Sequence, residues 1–101
     1  MNYIKLSVSL LGIKPEMVIG YIVVQSVYAK FGLDCVVTSV TDGQHKVVNS
    51  LHYTGNAMDF RTTELSMSYD WDSVRAKVKQ CLGKDFDVIL EKDHLHVEYQ
   101  P

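Results

Sequence analysis

The strongest constraint on the fold lies near the C-terminus, where polar and apolar residues alternate on both sides of a short turn sequence. The segment DFDVILEKDHLHVEYQP predicts two strands joined by a tight turn near Lys92-Asp93, which makes an antiparallel β-hairpin. In its second strand the apolar residues share one face: Leu95, Val97 and Tyr99. The polar residues share the other: His94, His96 and Glu98. The apolar face requires a covering layer, and helices can supply it.

The first half of the chain predicts a helix followed by a strand. Pro15 suits a first helical turn and Gly32 a left-handed cap, and apolar residues recur between them at helical spacing: Met17, Tyr21, Val24, Tyr28 and Phe31. The stretch 33–40 is rich in β-branched residues, which favours a buried strand, and Asp42-Gly43 then favours a turn. A long polar loop is expected from there to Gly55.

A short strand and a second helix are predicted between that loop and the hairpin. Over residues 57–62, Met58 and Phe60 alternate with Asp59, so the carboxylate points away from the core. Asp70 suits a helix N-cap and Gly83 a helix end. The expected apolar stripe of this helix contains Val74, Val78, Cys81 and Leu82.

These elements predict one α+β domain over residues 1–101, with two helices packed on an antiparallel sheet. Ten basic and twelve acidic residues, without a block of like charge, favour neither nucleic acid nor an anionic membrane as a partner. We expect a soluble protein without a signal peptide, made in the cytoplasm. Cys35 and Cys81 are expected to be buried free thiols.

The four histidines lie in two segments together with most of the candidate acids. His45 and His52 precede Asp59, and the hairpin contributes a second group: Glu91, Asp93, His94 and His96. A catalytic zinc takes three protein ligands from histidine nitrogens and carboxylate oxygens. His52 and Asp59 supply two of these ligands, with Gly55 permitting a turn between them. The H-x-H pair offers two candidates for the third ligand. Glu98 either orients an imidazole or is an exposed strand residue.

The segments SLHYTGNAMDF and EKDHLHVE resemble the zinc DD-peptidases of the M15 class and the related Hedgehog domain. This resemblance covers about residues 34–100 and implies a Hedgehog/DD-peptidase-like fold with zinc on the sheet face. It implies zinc ligands at His52, Asp59 and His96, with His94 beside the metal as a stabiliser of the charged intermediate. His45 corresponds to an upstream histidine that approaches the site in Hedgehog-like and phage-type versions.

Two acidic residues are candidates for the general base. Glu91 fits the Hedgehog-like spacing before the H-x-H pair, whereas Asp93 fits the D-x-x-H spacing of several bacterial peptidases. We favour Glu91. The segment TSVTDGQHK lacks the arginine that many relatives use to hold a substrate carboxylate, which argues against recognition of a free D-Ala-D-Ala terminus.

The resemblance implies metal-assisted hydrolysis of peptide bonds in peptidoglycan stem peptides or cross-links, by an endolysin-like endopeptidase or carboxypeptidase. We also expect a small monomeric enzyme of phage or bacterial origin that acts on the cell wall after release or as part of a virion. The alternative is a zinc-containing Hedgehog-like module that binds without catalysis, or a virion component that binds the cell wall.

Overall fold

The computed structural model describes residues 2–4, 10, 12–40, 55–62 and 70–101. The strands are β1 (Asn2–Ile4), β2 (Cys35–Ser39), β3 (Ala57–Arg61), β4 (Phe86–Leu90) and β5 (His94–Tyr99). The helices are α1 (Pro15–Lys30) and α2 (Trp71–Leu82). The predicted α+β class is therefore confirmed. Residues 41–54, which include the predicted Asp42-Gly43 turn, His45 and His52, lie outside the described residues.

The five strands of the described residues form one mixed sheet in the order β1-β2-β3-β5-β4. The pairs β2-β3, β3-β5 and β4-β5 are antiparallel, as predicted, and β4-β5 is the expected hairpin. The prediction of a purely antiparallel sheet was wrong at one edge, because β1 pairs in parallel with β2. Parallel neighbours need a long crossover, which α1 supplies here. Three exposed residues are too few to reveal a strand by alternation.

Helix α1 begins at Pro15 and is followed by Gly32 with a positive φ of 73°, as its flanking residues predicted. Its inner side packs on the sheet around Phe60, which is fully buried. The rings of Tyr21 and Tyr28 each lie 6.3 Å from the Phe60 ring, measured between centroids. In the described part of the chain, no helix has the length and apolar character needed to cross a membrane.

Helix α2 begins and ends where the sequence predicted, but one residue that was predicted to be buried is exposed. The Ser73 backbone N–H donates to Asp70 Oδ1 over 3.2 Å, so Asp70 is the N-cap. Val74 and Val78 are fully buried, but Cys81 is exposed, so the prediction that it is buried was wrong. Cys81 lies in the last turn of α2, one residue before the helix ends at Leu82, so helical spacing alone does not bury it. Cys35 is buried as predicted, and burial raises the pKa of its thiol to about 12.

Gly55 joins the start of β3 to the segment that precedes α1. Its φ is 77°, and a Cβ at this position would collide with the backbone carbonyl of Gly12. The carbonyl of Gly55 also accepts a hydrogen bond from the Lys14 backbone N–H over 3.1 Å. The positive φ and the close approach of Gly12 make a side chain unfavourable at this position.

We expect Gly55→Ala to lower the free energy of unfolding more than Gly32→Ala does. Both glycines have positive φ, which costs a non-glycine residue about 1–2 kcal/mol, but a Cβ at Gly32 has no atom within 4 Å. The collision with Gly12 therefore adds to the cost at Gly55 alone. Urea unfolding of both variants measures the difference, and equal losses would contradict the close approach of Gly55 to Gly12.

Candidate functional site

The register of β3 and β5 brings the polar residues of the two strands together. Asp59 pairs with His96, and Arg61 pairs with His94. Because side chains alternate along a strand, these residues share one face while Phe60 and Leu95 enter the core on the other. The predicted Asp59 and both residues of the H-x-H pair are thus collected on a single face of the sheet.

Asp59 and His96 make the central contact of this site. Asp59 Oδ1 lies 2.8 Å from His96 Nδ1, and the two side chains are 12% and 14% exposed. Burial acts to lower the pKa of His96, but the hydrogen bond to Asp59 and the charges of Asp59, Glu98 and Glu91 outweigh it, so the pKa is raised. A raised pKa favours the protonated imidazolium, in which both ring nitrogens can donate to carboxylates.

Glu98 contacts the other nitrogen of the same imidazole. Its Oε1 lies 3.2 Å from His96 Nε2, and its side chain is 15% exposed. The His96 ring therefore lies between two carboxylates, one at each nitrogen. Strand alternation placed Glu98 on the polar face, but the sequence left open whether it orients an imidazole, and this contact favours that role.

The imidazole of His94 is surrounded by three acidic side chains. Its Nδ1 lies 2.6 Å from Asp93 Oδ1. Its Nε2 lies 3.1 Å from Glu91 Oε2 and 3.7 Å from Asp59 Oδ2. Glu91 and Asp59 are therefore on one side of the ring, and Asp93 is on the other. The two candidate bases, which sequence spacing did not separate, contact different nitrogens of His94.

The two candidate bases also differ in their surroundings. The hydrogen bond with His94 holds the pKa of Asp93 below its usual range. Glu91 follows β4, where its backbone N–H donates to the His94 carbonyl over 2.9 Å and closes the hairpin. The Glu91 side chain is 47% exposed, so its carboxylate remains accessible from solvent.

The remaining predicted site residues, His45 and His52, lie outside the described residues. Within the residues that are described, no group of three or more histidine, cysteine, aspartate or glutamate side chains is arranged to hold a metal ion.

Comparisons of this chain with protein-family models, with curated proteins and with solved structures find no match.

Proposed function

We propose that this chain is a zinc-dependent metallopeptidase that hydrolyses peptide bonds in peptidoglycan stem peptides or cross-links. The observation that carries the proposal is the pairing of Asp59 Oδ1 with His96 Nδ1 at 2.8 Å on a sheltered face. In this proposal Asp59, His96 and His52 hold the zinc ion. The resemblance of SLHYTGNAMDF and EKDHLHVE to the M15 peptidases supports both the Hedgehog/DD-peptidase-like fold and the peptidoglycan substrate.

The donor chemistry at this position fits zinc. One carboxylate oxygen and one imidazole nitrogen face each other, and both belong to the donor types that zinc prefers. The second nitrogen of His96 contacts Glu98, as metal-bound imidazoles usually contact a carboxylate or carbonyl. When bound, zinc lowers the pKa of a coordinated water to about 7 and polarises the scissile carbonyl.

Glu91 is the better candidate for the general base. Its carboxylate is on the same side of His94 as Asp59, whereas Asp93 is at the opposite nitrogen. The lowered pKa of Asp93 also makes it a weak proton acceptor. In this mechanism Glu91 accepts a proton from the attacking water, and it then donates this proton to the leaving amine as the C–N bond breaks.

His94 is proposed to stabilise the negative charge that develops on the carbonyl oxygen. Its Nε2 faces Glu91 and Asp59, and Asp93 holds the ring from Nδ1. A protonated Nε2 can donate a hydrogen bond to the oxyanion. Asp93 then acts as a positioning residue. His45 is proposed as a second stabiliser on the basis of the resemblance alone.

The test measures zinc content and amine release from purified peptidoglycan in the same protein samples. Wild type, His52→Ala and Asp59→Asn are compared with Asp87→Asn, which removes a carboxylate from β4, the neighbour of β5 in the sheet. We expect about one zinc per chain in wild type and in Asp87→Asn, with hydrolysis in both. His52→Ala and Asp59→Asn are expected to lose both zinc and activity.

Two other results would contradict the proposal in different ways. Zinc without amine release, in a protein that sediments with peptidoglycan, would favour a non-catalytic binding module. Absence of zinc from the wild type would contradict the proposed metal site itself. Circular dichroism of the metal-free variants checks that loss of zinc does not follow from loss of folding.

A further inference from the structure

We propose that Glu98 is a positioning residue that holds the imidazole of His96 with Nδ1 towards Asp59, and that it thereby determines the zinc affinity of the site. This inference rests on the proposed function, because it assigns a role within the same metal centre. It concerns metal binding rather than the hydrolytic step, so this inference and the peptidase proposal can fail separately.

The placement of Glu98 on β5 supports this role. Glu98 is two residues beyond His96, so strand alternation puts both side chains on the same face. Its cross-strand neighbour on β3 is Ala57, which is small and fully buried. The Glu98 side chain is 15% exposed, and its Oε1 lies 3.2 Å from His96 Nε2. A sheltered carboxylate is costly without a partner, and the imidazole is that partner.

The two carboxylates together select one orientation of the His96 ring. A half-turn of the ring about its bond to Cβ would bring carbon atoms to the positions that Nδ1 and Nε2 now occupy. Asp59 and Glu98 would then both lose their hydrogen bonds with His96, at 2.8 Å and 3.2 Å. If Asp59 binds a metal ion, Glu98 is the contact that continues to hold the ring, and it also increases the electron density that the ring can donate.

The experiment compares zinc affinity in wild type, Glu98→Ala and Glu98→Gln by competition with a chelator. Removing the partner of a metal-bound histidine usually weakens metal affinity about 10-fold to 100-fold, which is the loss expected for Glu98→Ala. Glu98→Gln keeps an acceptor oxygen, so it should retain most of the zinc affinity that Glu98→Ala loses. Asp87→Ala is the matched control, because Asp87 is the exposed cross-strand neighbour of Glu98 on β4. The Asp87→Ala variant tests how the loss of a negative charge alone changes zinc affinity.

A spectroscopic measurement separates positioning from a purely structural role. In the zinc-loaded wild type and in Glu98→Gln, NMR should detect a slowly exchanging Nε2–H proton of His96, and Glu98→Ala should lose it. The unfolding midpoint of each metal-free variant provides the folding control.

The possible outcomes separate this inference from the peptidase proposal. Equal zinc affinity in wild type and Glu98→Ala would overturn the role of Glu98, even if the protein hydrolyses peptidoglycan. An equal loss in Asp87→Ala would also overturn it, since charge alone would then explain the effect. Loss of affinity only in Glu98→Ala, in a protein that binds zinc without hydrolysis, would support the inference while the peptidase proposal fails. A wild type that binds no zinc would overturn both.

Discussion

Glu91→Gln is expected to lower kcat for peptidoglycan hydrolysis about 100-fold to 10,000-fold, the usual contribution of a general base. The glutamine keeps the size of the side chain but cannot accept the water proton. Because the Glu91 side chain is 47% exposed and its hairpin hydrogen bond uses the backbone, folding should be unaffected. Zinc content should also remain as in wild type, since Glu91 is not a proposed ligand. Amine release and elemental analysis of the same samples measure the two quantities.

Asp93→Asn is the matched comparison for Glu91→Gln. An asparagine oxygen can still accept a hydrogen bond from His94 Nδ1, which Asp93 Oδ1 now contacts at 2.6 Å. We therefore expect a smaller loss of kcat than for Glu91→Gln. A larger loss for Asp93→Asn than for Glu91→Gln would exchange the roles of the two acids. If neither substitution changed hydrolysis while zinc stayed bound, the proposed acid–base mechanism would be wrong.

Phe60→Ala is expected to lower the free energy of unfolding by about 3–5 kcal/mol, the usual cost of truncating a buried aromatic side chain. Phe60 is fully buried, and its ring lies beside the rings of Tyr21 and Tyr28. The loss is a large share of the 5–15 kcal/mol that stabilises a typical domain. Denaturant unfolding measures it, and the milder Phe60→Leu gives a smaller loss in the same direction if the alanine variant does not fold.

Ile19→Ala provides the control for this measurement. Ile19 is 61% exposed on α1, so its truncation should change stability by less than about 0.5 kcal/mol. The result bears on the site as well as on the core, because Phe60 directly follows Asp59. A one-residue shift of register in β3 would turn Phe60 to the polar face and Asp59 into the core. Wild-type stability of Phe60→Ala would therefore contradict the placement of Asp59 beside His96.

Much of the local structure was predictable because it depends on short-range chemistry. Pro15 and Gly32 delimit α1, Asp70 caps α2, and alternation defines the hairpin around Lys92 and Asp93. The same alternation predicted which residues of β3 and β5 face away from the core. The errors have equally local causes. Cys81 lies in the last turn of α2, and the three residues of β1 are too few to show a period.

The strand register brings part of the predicted site together, whereas His45 and His52 lie outside the described residues. Spacing and resemblance selected Asp59, His94 and His96, and the strand register brings these three residues to one face. The roles of Glu91 and Asp93 stayed open, because both acids lie close to the histidines along the chain. Their contacts with opposite nitrogens of His94 give the physical ground for distinguishing them.

The amino-acid sequence alone predicts the order of the elements from α1 to β5, the inward and outward faces of their strands, and the residue types available for a metal. These properties follow from backbone preference and from the period of two along a strand. Tertiary contacts set the parallel pairing of β1 with β2 and the register that places Asp59 against His96. Such features depend on contacts between residues distant in sequence, as the 37 positions from Asp59 to His96 illustrate.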